Sequence, residues 1–179
     1  SQGRDHRARI EHSQHLIPSD IPRFADLGVI ASIQTIHMSS DRPWAIDRLG
    51  QERIETGAYV WRDLLNAGVH LANGTDVPVE PINPLANFYA AVARKTLKGT
   101  PEGGFELKQR MTREETLKSM TIWNAYAAYE ESDLGSVEIG KRADLTVLDN
   151  DIMTIEESTI LSTDVAMTIV AGEVVYTAP

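Results

Sequence analysis

The chemistry in this sequence is carried by one carboxylate and a few imidazoles. Asp76 stands in Gly74-Thr75-Asp76-Val77-Pro78, directly after the apolar run Val69-His70-Leu71-Ala72. A run this short reads as a buried strand, and Gly74 and Pro78 mark its end. Asp76 then lies at the strand's C-terminal edge, which faces the active-site crevice in parallel α/β folds. A carboxylate there can bind a metal ion, act as a base or cap the next turn. His12 closes the short run Ala8-Arg9-Ile10-Glu11. It can ligate a metal or hydrogen-bond to its neighbours. His37 falls in the polar segment 35–44, read as a loop that walls a pocket at the same edge. From there it can touch a substrate or rest on the surface. His15 and His70 read as structural, His70 because it sits inside a strand. Glu11 should face away from His12 and serve as a buried ion-pair partner. Trp44 and Trp61 read as packing residues. The sequence carries no serine nucleophile elbow, and Gly103-Gly104 is too little for a phosphate loop.

The elements that position these residues alternate along the chain. Ser19 or Asp20 can cap a helix with Pro22 in its first turn, striped by Ile21, Phe24 and Leu27 and stopped by Gly28. Residues 29–34, β-branched and apolar, read as a buried strand. Ile54, Ala58, Trp61 and Leu65 recur at helical spacing over 51–66, and Gly68 ends that helix. The strand leading to Asp76 follows at once. Asn83-Pro84 opens a helix over 85–97. Thr112 and Glu115 have capping-box spacing and open a helix to about Glu130, with Leu117, Thr121, Ala125 and Ala128 on one face. Strand–helix alternation with short connections implies parallel strands and right-handed crossovers. Beyond Gly135 the pattern turns β-rich, with a hairpin around Ala171-Gly172-Glu173. The expected organisation is an α/β unit over 1–134 and a β module over 135–179.

Composition excludes several classes. The chain has 179 residues, 42% hydrophobic and 24% charged, with a formal net charge of −9. That balance argues against a nucleic-acid surface and against a polybasic membrane face. No apolar stretch approaches the roughly 20 residues of a membrane-spanning helix. The absence of cysteine removes disulfides and thiolate metal sites, and fits the cytoplasm. The first residues lack the apolar core of a signal peptide and contain no Met, so a start further upstream is expected.

Four runs, in order and in register, resemble one family. They are Arg9-Ile10-Glu11-His12, the strand from Leu27 to Gln34, Gly74-Thr75-Asp76-Val77-Pro78, and the tail from Gly135 through Gly140-Lys141-Arg142-Ala143-Asp144-Leu145. Together they look like the metal-dependent amidohydrolase superfamily, and more narrowly its amidohydrolase-3 branch. The resemblance implies a (β/α)8 barrel of the TIM type with a small β-sandwich built from both chain ends. The strands here would be the sixth, seventh and eighth of the barrel. It implies His12 as a metal ligand and Asp76 as a metal ligand that also takes a proton from the attacking water. His37 is placed to contact substrate. The implied cofactor is a divalent metal, zinc, and the implied reaction is hydrolysis of an amide or other C–N bond in a small molecule.

The sequence also departs from that pattern. The family's His-x-His, its bridging lysine or acid and its fifth-strand histidine are absent, and His6 lies too close to His12 to replace any of them. A metal site of this kind needs three or more protein ligands, and His12 with Asp76 gives two. The expectation is the C-terminal part of a hydrolase, inactive alone, whose open barrel edges promote a homo-oligomer or swapped assembly. The alternative is a non-catalytic truncated or regulatory protein that uses the half-barrel as an oligomerisation scaffold. A third reading, an independent doubly wound domain, leaves the β-rich tail without a place.

Overall fold

The computed structural model describes residues 5–179. Three short strands, β1 (Arg9–Ile10), β2 (Ile30–Ile33) and β3 (Leu71–Asn73), form a parallel sheet in the order β1-β2-β3. Helix α1 (Ile21–Leu27) joins the first pair. It stops where Gly28 takes a left-handed φ of 63° and donates its N–H back to Ala25 and Phe24. Helices α2 (Thr35–Gly57) and α3 (Trp61–Asn66) join β2 to β3. The strands alternate sides. Ala31, Ile33 and Leu71 share one core with Phe24, Ile54, Trp61 and Leu64. Ile30 and Ala72 pack on the other side with Ala127.

Several expectations are corrected here. Segment 35–44 is the first part of α2 and not a loop. Its cap is not local: Gln34, at the N-cap, makes no side-chain capping hydrogen bond. Instead Thr35 N–H donates to Asn73 Oδ1 (3.2 Å) and Ile36 N–H donates to Asn87 Oδ1 (2.8 Å). Thr35 Oγ1 donates to the Asn87 carbonyl (2.7 Å). Two orphan amides of the helix start are thus satisfied by β3 and by a later helix that carries Asn87. Gly50, at φ 76° and ψ 162°, breaks the long helix internally.

The helix expected over 51–66 is interrupted as well. Ala58 is extended and bridges to His15, so α3 restarts at Trp61. Trp61 is fully buried, whereas Trp44 is 52% exposed and is no packing residue. Glu11 is exposed, pairing with Arg9 (2.8 Å) and accepting from Ser32 Oγ, and is not a buried ion-pair partner.

Helix α4 (Pro84–Ala93) starts as expected, with Asn83 Oδ1 accepting from Leu85 N–H (2.9 Å). It ends at Arg94, which takes a left-handed φ of 56°, short of Leu97. The Thr112/Glu115 capping box opens α5 (Arg113–Met120). Thr121, at φ −127° and ψ −96°, then divides the expected long helix and α6 (Ile122–Ala127) follows. The tail forms an antiparallel sheet of β4 (Leu145–Leu148), β5 (Val165–Val170) and β6 (Glu173–Thr177). Ala171 (φ 51°) and Gly172 (φ 84°) make the two-residue hairpin turn between β5 and β6. Among the described residues the tail forms this one sheet. Among the described residues no helix is long and apolar enough to cross a membrane.

Candidate metal centre

Three parallel strands end side by side, and each is followed by a candidate ligand. His12 follows β1, His37 lies in the first turn of α2 after β2, and Asp76 follows β3. One ligand atom from each lies within 4.8 Å of the other two. Asp76 Oδ2 is 3.8 Å from His12 Nδ1 and 3.8 Å from His37 Nε2. The two imidazoles stack at 5.9 Å between centroids. His37 is buried, while the His12 and Asp76 side chains are 52% and 35% accessible. The cluster therefore has a floor and an open side.

The 3.8 Å separations are too long for direct hydrogen bonds. They suit donors that share an ion, since ligands each about 2.0–2.2 Å from one metal sit roughly 3–4 Å apart. The strongest sign of fit is His37 Nε2, which is buried and has no hydrogen-bond partner. A buried polar atom without a partner calls for an explanation. Here the open valence faces a carboxylate oxygen, as it would across a cation.

The backbone is committed to this arrangement. His12 and Asp76 both take left-handed φ values, 56° and 59°. Aspartate and histidine are among the side chains that visit this region most readily, and strained backbone clusters at functional sites. The Asp76 carbonyl also accepts from Val79 N–H (2.7 Å), which closes the turn after the strand.

The remaining partners are residues that sequence reading did not single out. Gln34 Oε1 lies 2.8 Å from His12 Nδ1, and Gln14 Oε1 lies 3.3 Å from His37 Nδ1. Gln14 also contacts the Tyr59 hydroxyl (3.2 Å) and the Asp41 carboxylate (3.1 Å). Burial pushes the Tyr59 hydroxyl up to about 12, so it keeps its proton near neutral pH. Only the position of Gln34 at the strand end could have flagged it. Gln14 and Asn87 carry no local signal. His15 and His70 lie outside the donor cluster. His15 meets the edge of Tyr59, and burial holds its pKa below the ordinary histidine range. His70 stacks on Tyr126 at 4.6 Å.

Parallel βα units with their polar side chains gathered at the strands' C-terminal ends define the class as a partial α/β fold. Within that class, the chain belongs to the amidohydrolase family, whose model matches residues 2–176. It is 37% identical over 173 residues to the protein LONG AFTER FAR-RED 3 of Arabidopsis thaliana, covering 97% of this chain and 29% of that protein. It is 30% identical over 169 residues to the N-substituted formamide deformylase of Arthrobacter pascens, covering 94% of this chain and 30% of that protein. Among solved structures, a metal-dependent hydrolase from Pyrococcus horikoshii superposes with a TM-score of 0.73 at 32% identity, covering 86% of this chain and 31% of that one. The chain thus spans about 30% of the length of the curated relatives it matches.

Proposed function

We propose that His12, His37 and Asp76 hold a divalent metal ion in a hydrolase that cleaves an amide or other C–N bond of a small molecule. The observation that carries this reading is the buried, unpartnered His37 Nε2 facing Asp76 Oδ2 at 3.8 Å. Two imidazoles and a carboxylate form the ligand set of an open catalytic zinc site, and nitrogen and oxygen donors of this kind suit zinc. When bound, such an ion lowers the pKa of water and polarises a carbonyl. Asp76, half-exposed on the open side, is placed to take the proton of the attacking water on a carboxylate oxygen and hand it to the leaving nitrogen. The likeness to a formamide deformylase supports the choice of a C–N bond. In a longer relative with further donors, the His37 lone pair is free to accept a hydrogen bond from substrate.

By this reading the chain alone binds metal weakly and does not turn over, because the family's other ligands are missing. The cysteine-free composition supports a cytoplasmic setting. Exposed apolar residues on β6, Val174, Val175 and Tyr176, support self-association through the tail. The test is zinc titration of the dialysed chain by calorimetry, with bound metal counted by elemental analysis. One zinc per chain is expected, with affinity at least 10-fold weaker in Asp76→Asn. A wild-type chain that takes up no zinc in the titration, or an Asp76→Asn variant that binds as well as wild type, would overturn the assignment.

A further inference from the structure

The hydrogen bonds behind His37 form a chain in which each donor and acceptor is forced by the one before. Asp41 lies one turn beyond His37 on α2, and its carboxylate can only accept. The Gln14 atom 3.1 Å from Asp41 Oδ2 must therefore be the amide nitrogen. That nitrogen's second hydrogen is directed to the Tyr59 hydroxyl, 3.2 Å away. The Gln14 atom facing His37 Nδ1 at 3.3 Å is then the oxygen, which can only accept. The hydrogen of that bond must sit on Nδ1, which in the neutral imidazole leaves Nε2 a bare lone pair. This is the atom found buried and without a partner, turned to Asp76. Gln14 is held in place independently, since its own carbonyl accepts from Tyr59 N–H at 2.8 Å. Ser40 Oγ also lies near the carboxylate, 3.4 Å from Asp41 Oδ1, but its one hydrogen is directed to Glu80 Oε1 at 2.5 Å.

We propose that Asp41, acting through Gln14, is a positioning residue that sets the tautomer of His37, keeping the proton on Nδ1 and the Nε2 lone pair directed at Asp76. Its consequence for metal affinity rests on the reading of His37 as a ligand. The tautomer itself does not. A free histidine side chain favours the Nε2–H form, so the arrangement here runs against the intrinsic preference and needs a cause. Outer partners of this kind orient metal-binding imidazoles and raise their basicity.

The test is nitrogen NMR of His37 in the metal-free protein at about pH 8, above the ordinary histidine range. Wild type should show the Nδ1–H pattern. Asp41→Asn can offer an amide N–H and so lets the Gln14 amide turn around. Its His37 should move to the Nε2–H pattern, and zinc affinity should fall about 10-fold. Asp41→Glu keeps an accept-only group and should preserve the wild-type pattern. An Nε2–H pattern in wild type overturns the proposal whether or not any variant folds, and so does an unchanged pattern in Asp41→Asn. A tautomer change with zinc affinity unaltered would uphold the role of Asp41 and sink the assignment of His37 as a ligand.

Discussion

The start of helix α2 depends on a residue 51 positions away, and that dependence can be measured. Asn87 is 1% exposed, and its Oδ1 accepts the Ile36 N–H at 2.8 Å. Asn87→Ala would leave that N–H buried without a partner, at a cost of about 1–3 kcal/mol. The small void adds up to about 1 kcal/mol. Two features limit the damage. Asn87 Nδ2 already lacks a partner, so removing it costs nothing and returns part of its desolvation. The Asn87 carbonyl that accepts from Thr35 Oγ1 is backbone and survives the substitution. The net expectation is about 2 kcal/mol, or roughly 4–8 °C in Tm for a chain of this size. Urea unfolding followed through the buried Trp61 should show a lower midpoint with an unchanged slope. Because His37 is the next residue after Ile36, zinc affinity should weaken in the same variant. A midpoint within about 0.5 kcal/mol of wild type, the ordinary range for a surface change, would refute the idea that Asn87 caps this helix.

Two further predictions concern the frame around the site. A Cβ at Gly57 would run into the backbone carbonyl of Leu16, whose own N–H donates to the Gly57 carbonyl at 2.7 Å. Gly57→Ala should therefore destabilise the chain by about 1–3 kcal/mol in a urea melt, and an unchanged midpoint would show that this loop can yield. The second concerns acid. The Arg62 guanidinium, with help from the Thr112 backbone N–H, holds the Glu115 carboxyl down to about 2 from an ordinary value of 4.5. A carboxyl depressed in the folded state contributes stability that is fully present above about 4.5 and is lost as pH falls toward about 2. Urea midpoints should fall across that window in wild type and fall less in Glu115→Gln. Parallel acid limbs in the two proteins would contradict the linkage.

What could be read from the sequence was local. Gly28 as a helix stop, Asn83 and the Thr112/Glu115 box as helix starts, and the strand end before Asp76 each depend on residues within a turn of one another. The failures share a different cause. Segment 35–44 looks like a loop because its helix is capped by Asn73 and Asn87, which lie far along the chain. The helix expected through Ala58 breaks because His15 pairs with that backbone. Strand alternation puts Glu11 in a buried pair, but β1 ends at Ile10, so alternation does not govern it. The candidate site divides along the same line. A short apolar run can put Asp76 at a strand edge, and a second can do the same for His12. No local pattern brings His37 into reach of Asp76, since that needs α2 to begin at Thr35. Nor does any pattern say which His37 nitrogen carries the proton. That depends on Asp41 meeting Gln14 across 27 positions, a donor–acceptor constraint that exists only once the β1 loop and α2 are packed together.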